Sequence, residues 1–273
     1  MKNILITGCS TGIGFETALY LKQNGIKVYA TARKDKDVEF LKGFGLEVYK
    51  LDVRNKEEIK AILEKIIQND MKLDAIFNNA GFGQPGAVED VSVKVLRKQF
   101  ETNVFGLHEV TLQAMKIFRK QGYGKIIQHS SVLGLISLRF RGAYNASKYA
   151  IEGLADTLRL ETLNDNIFIS SINTGPVVSK FRENGLKKFN KNIDAQNSHF
   201  KNQYEEELKS RLESTEKSTA FTLPAISVAK VVLKILNTQK PKPRYYVTKA
   251  TYILGYLKRV LSTSLLDKIL VKI

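Results

Sequence analysis

The chain has 273 residues, 43% hydrophobic and 26% charged, enough for one large α/β domain with a well-buried core or for two small ones. Its one cysteine, Cys9, excludes an internal disulfide and fits a reducing compartment, and no stretch reaches the ~20 apolar residues of a transmembrane helix. A net charge of +16 invites comparison with nucleic-acid binders, but the lysines are scattered and read as solvated faces. Gly8 interrupts the first apolar run before it reaches signal-peptide length, so a cytoplasmic location is expected.

β-Branched runs at residues 2–7, 27–31, 47–51, 73–78, 125–129 and 167–172 alternate with amphipathic stretches at 13–24, 55–68, 104–120 and 144–163. Asn55, followed by Lys56-Glu57-Glu58, has the form of an N-cap with acids in the first turn. Strands joined by helices of this length form βαβ units, which predicts a parallel sheet covered on both faces. After Pro176 the pattern changes. Residues 179–218 are polar and weakly periodic, with one predicted helix near 203–213, and are expected to form a lid (179–222) inserted within a single domain spanning 1–273. Phe181, Leu186, Phe189, Phe200 and Phe221 lie among its charges, either to meet a bulky lipophilic substrate or to anchor the lid. A helix at 227–236, Pro241-Lys242-Pro243 and a strand at 244–248 restore regularity before a helical extension over 250–273. Residues 252–273 mix leucine, isoleucine and tyrosine with Lys258, Arg259, Lys268 and Lys272. They read either as a basic amphipathic segment in weak contact with a membrane surface or as helices packed on the domain or a twin subunit.

The first strand runs into Thr7-Gly8-Cys9-Ser10-Thr11-Gly12-Ile13-Gly14 and then a helix. Glycines there let the backbone turn tightly and approach a pyrophosphate resting on the helix N-terminus. Cys9 reads as a small filler of this turn. An acid ending the second strand would hold the ribose hydroxyls of NAD. This chain has Ala32-Arg33-Lys34 instead, and a guanidinium suits a 2′-phosphate, so the predicted cofactor is NADP(H). Asp52 ends the third strand, placed either to meet an adenine edge or to cap the turn. Asn78-Asn79-Ala80-Gly81 follows the fourth, where small residues let a cofactor lie close.

Tyr144 and Lys148 share a helix face one turn apart, where an ammonium can stabilise a phenolate. The spacing recurs at Tyr245 and Lys249, but a strand spreads four residues over about 13 Å against about 6 Å on a helix. His108, His129 and His199 are too scattered for a metal site or a Ser–His–Asp triad, and His129 is expected to pack among its neighbours.

Taken in order, Thr7-Gly8-x-x-x-Gly12-x-Gly14, Asp52, Asn78-Asn79-Ala80-Gly81, Asn103, Ser130-Ser131, Tyr144-x-x-x-Lys148 and Gly175-Pro176 resemble the single-domain short-chain dehydrogenases/reductases. Phe82-Gly83, Phe105-Gly106 and residues 241–248 resemble a bacterial branch related to hydroxysteroid and retinol dehydrogenases. The resemblance implies a Rossmann-like, doubly wound, seven-stranded parallel sheet and an NADP-dependent oxidoreductase. Such an enzyme interconverts an aldehyde or ketone and the alcohol by hydride transfer, with no metal. Tyr144 would be the general acid or base, Lys148 would lower its pKa and hold the nicotinamide ribose, and Ser131 would hydrogen-bond the substrate oxygen. Asn103 would hold a water linking Lys148 to solvent. Family spacing prefers Ser131 to Ser130. Cofactor contacts fall on Gly8, Ser10, Thr11, Gly12, Ile13, Gly14, Arg33, Asp52, Val53, Asn79, Ala80, Gly81, Tyr144, Lys148, Gly175, Pro176 and Val177. The helices at 104–120 and 144–163 are the family's usual faces in a homodimer. Two departures stand out: Thr174 replaces the usual proline before Gly175, and Ser179 stands where a phosphate-contacting threonine is often found. Two rival readings are a cofactor-binding sensor that has lost turnover, and a membrane-surface, lipid-modifying reductase tethered through 252–273.

Overall fold

The protein is described from a computed structural model, which covers residues 1–209 and 221–273. Seven strands form one parallel sheet: β1 (Asn3–Ile6), β2 (Lys27–Ala32), β3 (Glu47–Lys50), β4 (Ala75–Asn78), β5 (Gly124–Ser131), β6 (Ile167–Thr174) and β7 (Arg244–Tyr246). Their order is β3-β2-β1-β4-β5-β6-β7. Leu5 pairs with Tyr29 on one side and Ile76 on the other, so winding reverses between β1 and β4. In an open α/β sheet the crevice beyond that reversal is where ligands bind.

The alternation of the strands sorts the core into two layers. Ile4 and Ile6 face helices α1 (Gly12–Gln23), α2 (Asp35–Lys42) and α8 (Ile226–Asn237), packing with Ala18, Leu21, Leu41, Phe77 and Val232. Leu5 faces α3 (Lys56–Asp70), α5 (Leu107–Gln121) and α6 (Gly142–Glu161), packing with Ile59, Ile66, Val110, Phe118 and Ala155. This is the Rossmann-like, doubly wound arrangement expected from the sequence. Asn55 caps α3 as predicted, its side chain accepting from the N–H groups of Glu57 and Glu58.

Three helices are absent from the sequence expectation. Helix α2 buries only Val38 and Leu41, too few to show a period. Helix α4 (Val93–Phe100) precedes a π turn at Glu101–Gly106, so the helix expected at 104–120 is a longer helical run that changes pitch. The third is α7 (Phe181–Asn192) in the lid, whose charged sequence buries just Gly185 and Phe189. After α7 a short helix, Lys201–Gln203, passes into a π turn, Tyr204–Lys209. The rest of the helix expected at 203–213, and lid residues 210–220, lie outside the described residues. The lid has its own core, in which Phe189, Ile193, Tyr204 and Leu208 pack on Ala87 and Phe140, with Phe200 alongside. Helices α9 (Lys249–Val260) and α10 (Thr263–Leu270) follow β7. Leu266 and Leu270 close on Val132, Leu133 and Ile136, with Leu254 and Leu257 beside them, so this extension packs on its own domain.

Phe118 is fully buried, and a side-chain carbon added at Gly124 would come within 2.2 Å of its ring. Phe118→Ala is therefore expected to cost about 3–5 kcal/mol, read as a lower urea midpoint at unchanged slope.

Candidate active site

Three segments meet at the winding reversal, and their backbones touch. Gly8 and Gly12 take φ of +72° and +61°, a region costly for residues with a Cβ. At Gly14 a Cβ would stand 2.3 Å from the Gly8 carbonyl oxygen and 2.4 Å from Asn79 Nδ2. The Thr7 hydroxyl accepts from the N–H groups of Asn79 and Ala80, both at 3.0 Å. The Asn79 amide nitrogen donates to the carbonyls of Thr7 (2.9 Å) and Gly8 (3.0 Å). Thr11 caps α1 without a side-chain hydrogen bond, and Ser10 lies beside it, partly exposed. The first-turn N–H groups of α1 thus have no cap from that side chain, an arrangement suited to phosphate. Ile13 turns inward onto the core. Cys9 is buried in the turn, which pushes its thiol up to about 12 and suits the filler role.

Past β2, Arg33 is exposed and forms no ion pair among the described residues. Asp35, the next acid, is taken by Lys50 at 2.8 Å. Of the two roles open to Asp52 the structure favours bracing the turn. Both of its carboxylate oxygens are held by Arg54, at 2.9 and 2.5 Å, which keeps its carboxyl below the usual range. Val53 lies against Gly106, where a Cβ would meet it at 2.8 Å.

The catalytic candidates converge on the same end of the sheet. Ser131 ends β5 and is buried; its hydroxyl accepts from Leu133 N–H (3.1 Å) and donates to the Thr174 carbonyl (3.3 Å), and it lies near enough to the Tyr144 phenol to favour the phenolate. Ser130 points to the opposite side, towards Asn173 (3.3 Å), which separates the two serines. Lys148 is buried, with Nζ 2.5 Å from the His129 carbonyl and 5.6 Å from the Tyr144 ring centroid. Here the expected electrostatics need correction. Burial dominates both groups, pushing the phenol up to about 12 and the ammonium down to about 8. The effects that oppose this are secondary: the Ser131 hydroxyl and the Arg141 charge favour the phenolate, and the Glu152 charge favours the ammonium. Around neutral pH Tyr144 holds its proton, the state a general acid needs.

His129 packs as expected and braces this floor. Asn79 has spent its amide nitrogen, so its Oδ1 accepts from His129 Nδ1 (3.0 Å), leaving Nε2 to accept from the Thr174 hydroxyl (3.3 Å). Burial and the Lys148 charge hold His129 down at about 3, so the imidazole is neutral. Thr174 thus replaces the family's proline with a hydrogen-bonding side chain. Asn103, in the π turn, spends its side chain on Phe82 N–H (3.1 Å), Phe82 carbonyl (2.9 Å) and the Ser147 hydroxyl (3.2 Å). Gly81 lies against it, with a Cβ position 3.2 Å from Asn103 Oδ1.

Gly175 leaves room for the Thr248 hydroxyl, which a Cβ would meet at 2.1 Å. Pro176 and Val178 exchange backbone hydrogen bonds with Leu223, and Val177 packs on the core. Ser179 lies over Gly12, 3.2 Å from the Cβ position there. The Phe181 ring stacks at a tilt on Tyr144, 5.2 Å between centroids, in a gap that a Cβ on Gly83 would close at 2.6 Å. Of the five lid hydrophobics, Phe189 and Phe200 are spent on anchoring, and Phe181 faces Tyr144. Tyr245 and Lys249 fall on different elements, and the Tyr245 hydroxyl accepts from Lys242 N–H (2.9 Å), so that pair has no shared role.

Two features escape the sequence reading. Lys188, on α7, places Nζ 4.6 Å over the Phe82 ring; the charges acting on it are Arg33, Lys191, Lys98 and Arg54, all cations. The neighbouring Lys187 has Glu183 one turn back, whereas four residues before Lys188 stands Asn184, a visible sign that Lys188 is left for something else. The second is Glu152, one turn beyond Lys148 and buried, which accepts from Asn173 (2.7 Å) and pairs with Arg244 (2.9 Å).

The depressed Lys148 sets a pH-dependent stability. Below about 8 the ammonium is charged both folded and unfolded, and its burial cost counts in full. From about 8 to 10.5 the unfolded chain binds more protons, so the native state gains stability as pH rises. Lys148→Met should melt higher than wild type near neutrality, with the gap narrowing as pH climbs through that window; parallel melting curves would show the charge to be compensated.

The family described as short chain dehydrogenase matches residues 2–189. The uncharacterized oxidoreductase YbbO of Escherichia coli is 37% identical over 270 residues, covering 98% of this chain and 94% of YbbO. Retinol dehydrogenase 8 of Homo sapiens is 35% identical over 190 residues, 66% of this chain and 60% of its own. The closed form of serine dehydrogenase complexed with NADP+ superposes with a TM-score of 0.78 at 23% identity, over 91% of this chain and 95% of that one. With the family matched over more than half its length and a relative this similar along nearly all of it, the chain belongs to the short-chain dehydrogenase family of oxidoreductases.

Proposed function

We propose that the protein is an NADP(H)-dependent carbonyl reductase acting on a lipophilic aldehyde or ketone, or on the alcohol in reverse. The observation that carries this is the convergence of Ser131, Tyr144 and Lys148 on the crevice floored by the Gly8–Gly14 turn. The glycine cradle fits a dinucleotide, since a Cβ at Gly8 or Gly14 would close it. Gly8, Ser10, Thr11, Gly12 and Gly14 would hold the pyrophosphate, with Asn79, Ala80 and Gly81 opposite. Ile13, Val53, Gly175, Pro176 and Val177 would shape the walls, and Lys148 would hold the nicotinamide ribose. Bound there, the reduced nicotinamide supplies the hydride that reaches the carbonyl carbon.

The chain's own residues handle the proton. Ser131 turns its hydroxyl to the substrate oxygen and orients it, and Tyr144 gives that oxygen its phenolic proton as negative charge develops. Lys148, with an ammonium drawn down to about 8, stabilises the phenolate left behind and lies close to it on the same helix. A water relay at Asn103 would rest on its backbone, because its side chain is committed to Phe82 and Ser147.

Selection of the phosphorylated dinucleotide is supported by Arg33, which is exposed and forms no ion pair among the described residues, and by Lys188 reaching in from the lid. A lipophilic substrate is supported by Phe181 beside Tyr144 and by the similarity to a retinol dehydrogenase. Pairing of two copies through α5 and α6 is supported by the exposed Leu112, Leu154 and Leu160 on those helices.

A carbonyl panel followed by NADPH absorbance tests the chemistry: Tyr144→Phe should lose about 10²–10⁴-fold in turnover while still binding cofactor. Equal, slow oxidation by both proteins would favour the sensor reading. Fluorescence titration tests the cofactor. NADPH should bind roughly tenfold or more tighter than NADH, and Arg33→Ala and Lys188→Ala should each erode that ratio. Tighter binding of NADH by wild type would overturn the preference.

A further inference from the structure

Helix α9 carries apolar side chains on two opposite faces. Inward, Leu254 and Leu257 join Leu266 and Leu270 of α10 over Val132, Leu133 and Ile136. Outward, Tyr252 is 59%, Ile253 49%, Tyr256 65% and Val260 54% exposed. Their helical spacing draws these four into a single stripe. Leu265 and Val271 on the following segment are open to a similar degree. Single exposed leucines need no explanation, but a contiguous apolar stripe on a surface helix marks a contact site. Residues 249–273 carry Lys249, Lys258, Arg259, Lys268 and Lys272 against one acid, Asp267. None of the five cations forms an ion pair among the described residues.

We propose that the outer face of α9 and α10 seats on the surface of an anionic lipid bilayer. The charge balance selects this occupant. In a two-fold contact between copies the patch would meet itself, setting Arg259, Lys268 and Lys272 against the same cations. An anionic headgroup layer answers them instead, and lysine stems can lie along the apolar surface with their ammonium groups in water. Tyr252 and Tyr256 offer an apolar ring with a polar tip, which suits the headgroup boundary. The association is superficial, since among the described residues no helix is long and apolar enough to cross a membrane. The inner side of the same two helices shares a packed cluster with Tyr144 and Leu138. The seat therefore lies back to back with the catalytic residues, and a lipophilic carbonyl compound would reach them from the lipid phase. This last step rests on the reductase reading; the docking itself does not.

The test is flotation of the full chain with phosphatidylcholine vesicles and with vesicles that also contain phosphatidylglycerol, at low and high salt. Wild type should float roughly tenfold or more with the anionic vesicles, and salt should reduce that. Arg259→Glu with Lys268→Glu should abolish flotation, and Tyr252→Ser with Tyr256→Ser should weaken it at every salt concentration. Both double variants should reduce a water-soluble aldehyde as wild type does, which reports that they fold. Absence of flotation with either vesicle overturns the proposal. So does a wild-type assembly whose mass by light scattering is halved by either double variant, because the face would then join two copies. Flotation without any carbonyl reduction would support the docking surface and remove the reductase reading.

Discussion

The glycine turn after β1 and the Asn79-Ala80 segment after β4 approach until one extra carbon would not fit between them. Much of the site is fixed by that approach. The Asn79 amide nitrogen is spent on two carbonyls of the turn, so its oxygen takes the proton of His129. His129 in turn engages Thr174, and its backbone carbonyl holds the Lys148 ammonium. A single chain of hydrogen bonds thus runs from the glycine turn to the Lys148 ammonium. It passes through a neutral imidazole that does not change charge around neutral pH. Because each partner in this chain is already committed, loss of one member leaves another buried polar group unsatisfied, which costs more than the bond itself is worth.

Burial sets the character of Tyr144 and Lys148 more than mutual attraction does. Removing a phenol and an ammonium from water penalises the charged form of each, so the phenol moves up to about 12, the ammonium moves down to about 8, and their proton affinities move apart. The wider that gap, the more firmly the proton rests on the phenol rather than on the amine. Glu152 limits the drift on the lysine side, and it is itself fixed by Arg244 of β7 and Asn173 of β6. The last strand of the sheet, remote in sequence, therefore bears on the Lys148 ammonium.

What could be read from the residues follows from how local the causes are. The turn over Gly8 to Gly14, the small residues after β4 and the Tyr144–Lys148 face depend on backbone approach or helical period, and both leave marks within a few residues. Ser131 and Ser130 differ only by strand alternation, which spacing along the chain could order but not prove. Asp52 was ambiguous because its answer, Arg54, is a charged neighbour with several other possible uses. The lid was least legible. Helix α7 buries so little that its periodicity is lost among lysines. The partners of Phe181 and Lys188 are set by how that helix crosses the segment after β4, far away in sequence. The balance at Tyr144 is hard to read for a similar reason: residue spacing reports a neighbour's charge and says nothing about how much water remains.

The absence of a side chain at Gly83 has a consequence for recognition. It lets Phe181 lie against the phenol, so the protein's own aromatic ring occupies ground that an incoming molecule must share. Association at this site is then an exchange reaction, one ring contact given up for another. Apparent affinity is scaled by the fraction of molecules in which the ring has moved aside. That factor is common to all ligands, so it lowers affinity without changing their ranking. Ranking comes from how well each replaces what Phe181 gave the phenol: a flat or aromatic ligand restores the contact, and a small hydrated one leaves it unmade.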